Sequence, residues 1–291
     1  MSDRTYVTLV APDAGSNQTA SSVVDAAPGT GQQGIPPAQG VASAQATTGS
    51  QPPDEGAADT QSTTSSRSCD VSASKYDAPA SVLRVAGLTQ LSTCDWPGKL
   101  AATVFLQGCP WKCAYCHNYE LQDPRADGTI PWDDIVSFLN RRRGLLDAVV
   151  FSGGEPTMQN GLADAMRQVR ELGFAVGLHT GGPYPRRLAA VLPLVDWIGL
   201  DIKATAAKYE AVTGKPNSAR KAFQALDLIQ SAGVDFEVRT TVDPTVLTDD
   251  DVVEIQQDLA RRGVAIHVIQ KVRDEGSRPE YQAALAELRQ A

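Results

Sequence analysis

The sequence predicts an α/β fold, a partial (βα)6 barrel of the TIM type, preceded by a disordered N-terminal tail. Between residues 81 and 291, short apolar runs alternate six times with amphipathic helical patterns, whereas residues 1–80 lack this alternation. Such alternation is typical of a parallel sheet with helices packed outside it. Because six strand-helix repeats are two fewer than a closed eightfold barrel, we expect an open barrel; a doubly wound open sheet is the alternative.

The tail is dominated by Ala, Gly, Ser, Thr, Gln and Pro. Large apolar side chains are too few there to offset the conformational entropy that is lost on folding. We therefore expect disorder over 1–80 and a folded domain over 81–291 that keeps its fold and activity without the tail. Neither a signal peptide nor an apolar run of about 20 residues is present, so no membrane association is expected.

The composition excludes some classes of partner and compartment. The formal net charge is −8, which argues against a nucleic-acid partner because a nucleic-acid binder needs a basic surface. Five cysteines, three of them clustered, indicate metal binding in a reducing cytoplasm rather than a disulfide framework. Cys69 and Cys94 have no partner at ligand spacing, and we interpret both as incidental.

The predicted elements alternate along the folded part. Apolar runs predict strands over 100–107, 148–152, 174–179, 197–202, 235–242 and 265–270. Helices with one apolar face are predicted over 132–142, 162–172, 219–232 and 249–262. Thr248 caps the last of these, and the acidic residues that follow it suit the helix dipole. Since catalytic residues of such barrels gather where the strands end, polar side chains at those positions are the site candidates.

The first strand leads into a loop with three cysteines, Cys109, Cys113 and Cys116, at C-x3-C-x2-C spacing. Three thiolates this close can hold one metal centre, and on a four-iron cluster they leave one iron open to a small molecule. A zinc site that uses His117 as a fourth ligand, or unrelated buried thiols, are the alternatives. His117 directly follows Cys116, so both would have difficulty facing one tetrahedral ion.

This spacing, with the aromatic Tyr115 just before Cys116, resembles the signature of the radical S-adenosylmethionine (SAM) enzymes. The resemblance implies that Cys109, Cys113 and Cys116 hold a [4Fe-4S] cluster and that SAM binds its open iron. It also implies that Tyr115 and Asn118 lie near SAM, and that the fold is the partial barrel of this superfamily.

The second and third strands end in residues that fit the same resemblance. Gly153, Gly154 and Glu155 match a Gly-Gly-Glu-Pro motif that holds the SAM amino group; glycines let backbone approach a ligand, and a carboxylate accepts from an amine. A capped strand-to-helix turn is the alternative. Thr180 matches the Asp-Thr-Asn-Gly of relatives, whereas His179 and the glycine after Thr180 depart from it. His179 either donates to a ligand carboxylate or is a satisfied histidine.

The last three strands supply further candidates. Asp201 and Lys203 point to one side of the fourth strand, because side chains alternate, and they match the Asp-x-Lys motif that meets SAM and the active site. A salt bridge at the rim is the alternative. Arg239 is a candidate partner for the SAM carboxylate, which a guanidinium fits with two hydrogen bonds. His267 and Gln270 are candidates for the far side of the pocket, with a core-edge position as the alternative.

The cysteine loop and Asp-x-Lys resemble the glycyl-radical enzyme activating enzymes. Gly-Leu-Thr-Gln at 87–90 and Asp-Trp-Pro-Gly-Lys-Leu-Ala-Ala-Thr-Val-Phe at 95–105 resemble one branch, the activating proteins of anaerobic ribonucleoside-triphosphate reductases. The resemblance implies a radical SAM oxidoreductase that generates a glycyl radical on the large reductase subunit, with flavodoxin or ferredoxin as electron donor. The alternatives are an activase of another glycyl-radical enzyme such as pyruvate formate-lyase, a radical SAM enzyme with a small-molecule substrate, and a non-enzymatic zinc-binding interaction module.

Overall fold

The computed structural model describes residues 4–9, 22–24 and 77–290 of the chain. The strands in this part are β1 (Arg4–Thr8), β2 (Ser22–Val24), β3 (Val85–Ser92), β4 (Ala101–Leu106), β5 (Ala148–Gly153), β6 (Ala175–Thr180), β7 (Trp197–Asp201), β8 (Asp235–Val242) and β9 (Ile266–Lys271). The α-helices are α1 (Trp132–Asn140), α2 (Leu162–Glu171), α3 (Pro185–Val191), α4 (Tyr209–Thr213), α5 (Ser218–Ala232), α6 (Asp249–Arg261) and α7 (Pro279–Leu288).

The six central strands, β4 to β9, pair in parallel and in chain order, as the sequence predicts. Their predicted bounds are correct to within one residue, and those of the four predicted helices to within two. β3 adds to the β4 edge in antiparallel fashion, and β1 adds to the β9 edge in the same way. The edge strands and the helices α3, α4 and α7 were not predicted.

The sheet curves strongly, so that the loops after its two outermost parallel strands meet. Beyond β9, Arg278 Nη2 donates to Oε1 of Gln122, which lies beyond β4, at 2.7 Å. A Cβ on Gly276 would come within 2.4 Å of the backbone oxygen of His117, so the chain after β9 packs directly against the cysteine loop. The open (βα)6 barrel predicted from the sequence is therefore confirmed.

The two ends of the barrel interior are filled differently. At the amino-terminal end, Trp96 stacks on Trp197 with ring centroids 5.4 Å apart, and Ala101, Ala148 and Val150 complete this apolar cluster. Stacked aromatic pairs contribute about 0.5–1.5 kcal/mol beyond the area that they bury. The carboxyl-terminal end is instead lined by polar side chains. Within the described residues, the polar part of the barrel interior therefore lies where the strands end.

The tail departs from its prediction at β1. Its backbone pairs with β9 from Arg4 opposite Gln270 to Thr8 opposite Ile266, and Val7 is buried. The reason is the exposed edge of β9, whose unpaired backbone groups accept a strand rich in β-branched and aromatic residues. The described residues 4–9, 22–24 and 77–290 belong to one compact unit. The second unit, 27–72, lies outside the described residues. Of the segment 1–80 that was predicted to be disordered, the structure describes 4–9, 22–24 and 77–80.

Two smaller expectations can also be compared with the structure. The Thr248 side chain and Asp251 form the reciprocal hydrogen bonds of a capping box at the start of α6, which confirms the predicted cap. Within the described residues, the helices are too short or too polar to cross a membrane.

Candidate active site

A cavity of about 360 Å³ opens at the carboxyl-terminal ends of the parallel strands. Of the residues that the sequence predicts for the site, all except His267 line it: Cys109, Cys113, Tyr115, Cys116, Asn118, Gly153, Gly154, Glu155, Thr180, Asp201, Lys203 and Arg239. Six strands far apart in sequence thus place their polar ends around one space.

The cysteine loop is held by its own backbone and by the short helical turn after it. The amide of Gly108 donates to Leu121 O at 2.8 Å, and the amide of Cys109 donates to Gln122 O at 3.2 Å. Gln122 returns a side-chain hydrogen bond to Cys113 O at 3.3 Å. These contacts fix the path of the loop without using a thiol, so the three sulfur atoms stay available as ligands.

Burial sets the protonation of these thiols. It raises the pKa of Cys109 to about 12 and that of Cys113 to about 11, so both are protonated at neutral pH in the absence of a metal. Metal binding to thiols releases their protons, which lowers affinity as pH falls. Within the described residues, no three Cys, His, Asp or Glu side chains are arranged to share a single metal ion.

The two glycines at the end of β5 allow other backbone segments of the protein to approach closely. Gly153 has φ of +112°, and a Cβ on Gly154 would come within 2.3 Å of the backbone oxygen of Gly108. Gly154 N donates to Leu106 O, and Glu155 N donates to Gly108 O, each at 2.8 Å. Both glycines border the cavity as predicted, but the close approach that they permit is to Leu106 at the end of β4 and to Gly108 at the start of the cysteine loop.

Glu155 is buried among neutral donors. Its Oε1 accepts from the Thr157 amide at 3.0 Å, from the Thr157 hydroxyl and from the Thr180 hydroxyl at 2.8 Å. Its Oε2 accepts from the Gly181 amide at 3.1 Å. Burial raises the pKa of this carboxyl above its usual value, and the hydrogen bonds from Thr157 and Thr180 offset that rise only in part. The carboxylate therefore ties the ends of β5 and β6 together besides facing the cavity.

Asp201 and Lys203 form an ion pair, with Nζ 3.0 Å from Oδ2, which confirms that they share one side. Lys203 Nζ also lies 5.7 Å from the ring centroid of Tyr115 and 6.0 Å from that of Trp111, within cation–π range. Burial acts to raise the pKa of Asp201, but Lys203 and Arg239 outweigh it and lower that pKa. Burial likewise opposes the charge of Lys203, and Asp201 outweighs it, so the lysine pKa rises.

Arg239 is already engaged within the protein. Its Nε donates to Glu237 Oε1 at 2.6 Å in a fully buried ion pair, and its Nη2 donates to Asp95 O at 3.2 Å. Its Nη1 lies 2.9 Å from Nε2 of His179. The guanidinium predicted to meet a ligand carboxylate thus borders the cavity, but its charge is offset by Glu237.

His179 is a satisfied histidine, the second of its two interpretations. Its Nδ1 lies 3.2 Å from Ser152 Oγ, and its Nε2 lies 2.7 Å from the backbone oxygen of Asp95. Burial and the charge of Arg239 lower its pKa to about 3, so the ring is neutral. It positions the Asp95 segment rather than presenting a charge to the cavity.

His267 does not line the cavity, so the prediction that placed it there is wrong. It is completely buried on the other face of β9, with Nε2 2.8 Å from Thr240 Oγ1. Gln270 does line the cavity. The reason is strand geometry: residues three apart on one strand point to opposite faces, so both could not have faced the same pocket.

Several cavity residues escaped prediction. Trp111 inside the cysteine loop packs over Gly181, where a Cβ would come within 2.4 Å of its ring. Asp95 enters from the β3–β4 loop, and its Oδ2 accepts from Thr103 Oγ1 at 2.7 Å. Arg4 enters from β1, and Cys94, interpreted as incidental, borders the cavity as well. A tryptophan between two ligand cysteines and an aspartate in a Trp-Pro-Gly turn were the available signals for the first two.

The donor set fits an iron–sulfur cluster with SAM. Three thiols from one loop share a cavity with Glu155 and with the Asp201–Lys203 pair, and Tyr115 Oη is buried there without a hydrogen-bond partner. Thiolates are the ligands of such clusters, and an orphaned buried hydroxyl indicates that a polar group completes its surroundings.

Comparison with known proteins agrees with this chemistry. Residues 103–283 match the Radical SAM superfamily. A Methanocaldococcus jannaschii protein, provisionally named a glycyl-radical enzyme activating enzyme, is 34% identical over 180 residues, which cover 59% of this chain and 73% of that protein. The pyruvate formate-lyase-activating enzyme of Clostridium pasteurianum is 29% identical over 172 residues, 57% and 71% of the two chains. The solved structure of native anSMEcpe with bound AdoMet has 19% identity and a TM-score of 0.46, over 57% of this chain and 50% of that one.

Proposed function

The chain belongs to the radical SAM superfamily and, within it, to the glycyl-radical enzyme activating enzymes, and we propose that its partner is an anaerobic ribonucleoside-triphosphate reductase. It is therefore an enzyme that uses a [4Fe-4S] cluster and SAM and acts on a glycyl-radical enzyme. The proposal concerns which glycyl-radical enzyme it activates, and which residues perform each task.

The choice of partner is supported by one observation, the likeness of residues 87–90 and 95–105 to reductase activating proteins. This segment contributes to the site. Asp95 lines the cavity, and its backbone oxygen accepts from Arg239 and lies beside His179. A segment built this closely into the site is a reasonable carrier of partner specificity.

Cys109, Cys113 and Cys116 would hold the cluster as thiolates, since metal binding to thiols releases their protons. When bound, the cluster and SAM supply a one-electron cleavage of the sulfonium, which yields the carbon radical that takes a hydrogen atom from the partner's glycine. Trp111, inside the cysteine loop, is buried against Gly181 and would help to keep water away from the bound groups.

Gly153, Gly154 and Glu155 would hold the amino group of the methionyl end of SAM. A buried carboxylate whose contacts are neutral donors favours a cationic amine beside it. Asp201 and Lys203 lie on the neighbouring wall, where their fixed pairing orients both groups toward the ligand. Tyr115, Asn118, Thr180 and Arg239 complete the lining.

The electron comes from flavodoxin or ferredoxin, and the partner's large subunit supplies the glycine. The second candidate for the partner is pyruvate formate-lyase, because the Clostridium pasteurianum relative is named as its activating enzyme. The two candidates share every step of the chemistry and differ only in the protein that presents the glycine.

The test is anaerobic electron paramagnetic resonance. The reconstituted protein, SAM and a reductant are incubated with each candidate partner, in natural form and labelled with [2-²H]glycine. We expect a radical signal on the reductase whose splitting collapses on deuteration, with none from pyruvate formate-lyase. A signal on pyruvate formate-lyase alone would overturn the choice of partner. SAM cleavage without a radical signal on either protein would favour a small-molecule substrate. A colourless protein that binds zinc instead of an iron–sulfur cluster would exclude radical SAM chemistry.

A further inference from the structure

Arg4 reaches the cavity from outside the region that matches the superfamily. It lies on β1, opposite Gln270 of β9, so its side chain enters on the side where the six-stranded barrel is open. There its Nη1 donates to the backbone oxygen of Cys94, in the loop between β3 and β4. This hydrogen bond spans the gap between the two edges of the parallel sheet.

The guanidinium of Arg4 still has donors to spare. Its Nε is buried and has no hydrogen-bond partner. An unpaired buried donor of this kind costs about 1–3 kcal/mol, so it is unfavourable unless a ligand completes it. A guanidinium binds a carboxylate side-on with two parallel hydrogen bonds, and a free Nε is one of the donors that this arrangement uses.

Lys203, Arg239, Lys271 and Arg273 also line the cavity, and the first two of these cations are held in ion pairs. Arg239 donates to Glu237 in a fully buried pair, and Lys203 is paired with Asp201 at 3.0 Å. A carboxylate that drew Arg239 away would leave the buried Glu237 without its partner, which is strongly destabilising, and one that drew Lys203 away would break its pair with Asp201. Arg4 donates to an uncharged backbone oxygen, so its full charge remains for a ligand.

We propose that Arg4 binds the methionyl carboxylate of SAM and that β1 is a functional wall of the active site. The inference rests on the proposed function, since it takes SAM as the ligand. It transfers to Arg4 the role that the sequence suggested for Arg239. It also reverses the expectation that the whole tail is dispensable, because removal of residues 1–9 removes both the strand and its guanidinium.

The test compares two ligands that differ only in the carboxylate: S-adenosylhomocysteine and its decarboxylated analogue, S-adenosyl-3-thiopropylamine. Their affinities for the reconstituted protein are measured by equilibrium dialysis, which needs neither partner nor turnover. Arg4→Gln should weaken S-adenosylhomocysteine binding about tenfold to a hundredfold, as expected for a lost hydrogen bond to a charged group. The decarboxylated analogue should change less than about twofold, because it has nothing for Arg4 to bind.

Two variants control for indirect effects. Arg143, whose Nε donates to Leu172 O at 2.8 Å, is an arginine outside the cavity, and Arg143→Gln should leave both affinities unchanged. Arg4→Lys keeps the charge but not the planar pair of donors, so it should recover part of the loss. Equal losses for both ligands in Arg4→Gln, or no loss for either, would overturn the proposal.

This outcome is separable from the identity of the partner. If Arg4→Gln weakens S-adenosylhomocysteine binding as expected but no radical forms on the reductase, the role of Arg4 is supported and the proposed partner is wrong. Failure of the unsubstituted protein to bind S-adenosylhomocysteine would count against SAM itself, and therefore against both.

Discussion

Glu155 and Asp201 are both carboxylates at the ends of barrel strands that line one cavity, yet the pKa of each is shifted in the opposite direction. Burial raises the pKa of Glu155, and the neutral donors around it do not reverse the effect. Burial acts on Asp201 in the same sense, but Lys203 and Arg239 outweigh it and lower the pKa. The kind of partner therefore decides the direction of each shift, since Glu155 is buried among neutral donors whereas the half-exposed Asp201 faces two cations.

The difference divides the cavity. The wall at the ends of β4, β5 and β6 carries the thiols and Glu155, whose contacts are neutral, so it favours positive charge. The wall at the ends of β7 and β8 carries two internal ion pairs, Asp201 with Lys203 and Glu237 with Arg239, and is close to neutral. A metal centre and a cationic amine suit the first wall, and a fixed scaffold suits the second.

The largest effect is expected at the first wall, where the three thiols are the proposed metal ligands. Replacing Cys109, Cys113 or Cys116 by alanine should abolish iron retention and SAM cleavage, because three ligands leave none to spare. Cys94→Ala is the control, since that thiol is exposed and lies outside the loop. Iron and sulfide analysis beside methionine release gives the measurement. Full iron content in any of the three variants would require another ligand set.

The second wall is tested by removing one charge of its most buried pair. Glu237→Gln leaves the Arg239 guanidinium without its counter-charge, and we expect a loss of about 3–5 kcal/mol in the free energy of unfolding. The double variant Glu237→Gln, Arg239→Gln should recover much of that loss, because no unpaired charge remains. Urea unfolding of the natural protein, of Glu237→Gln and Arg239→Gln alone, and of the double variant gives the coupling energy. A single variant as stable as the natural protein would mean that the pair is solvated.

Glu155→Gln tests whether the first wall attracts a cation. The substitution keeps the size of the side chain and removes its charge, so affinity for S-adenosylhomocysteine should fall about tenfold to a hundredfold, or 1.5–3 kcal/mol. Iron content should stay normal. 5′-Methylthioadenosine, which lacks the amine, provides the control and should bind equally to both proteins. Equal losses for the two ligands would indicate that Glu155 acts only through the β5 and β6 ends.

The pH dependence of stability should have opposite signs for the two carboxylates. The pKa of Glu155 is raised above 4.5, so its contribution is present below that pH and is lost as pH rises through the folded value. The pKa of Asp201 is lowered below 3.8, so its contribution is present above that pH and is lost as pH falls through the folded value. Urea unfolding of the metal-free protein, Glu155→Gln and Asp201→Asn at several pH values separates the two. Slopes of the same sign would contradict the comparison.

The smallest effect is expected at His267, which belongs to neither wall. His267→Gln should leave S-adenosylhomocysteine affinity within about twofold and cost about 1 kcal/mol of stability through its hydrogen bond with Thr240. Dialysis and urea unfolding measure the two quantities. A large loss of affinity with unchanged stability would indicate that His267 does contact the ligand.

The sequence was sufficient wherever a strong local pattern decided the structure. Six apolar runs predicted β4 to β9 within one residue, and the cysteine spacing and the strand-end motifs predicted most of the cavity lining. It was insufficient where a distant partner decides the outcome. Nothing near Arg4 in sequence indicates that the open edge of β9 will recruit it. Glu237, in contrast, lies two residues before Arg239 on the same face of β8, so the alternation of side chains could have predicted their ion pair.

The packing of Trp111 on Gly181 bears on how this protein can diverge from its relatives. Position 181 is where the resemblance calls for asparagine, and here even a Cβ would come within 2.4 Å of the indole. A larger residue at 181 is therefore compatible only with a smaller or displaced side chain at 111. The two positions should change together among homologous sequences, with a bulky aromatic at 111 accompanied by glycine at 181, and a single exchange at either one should be selected against.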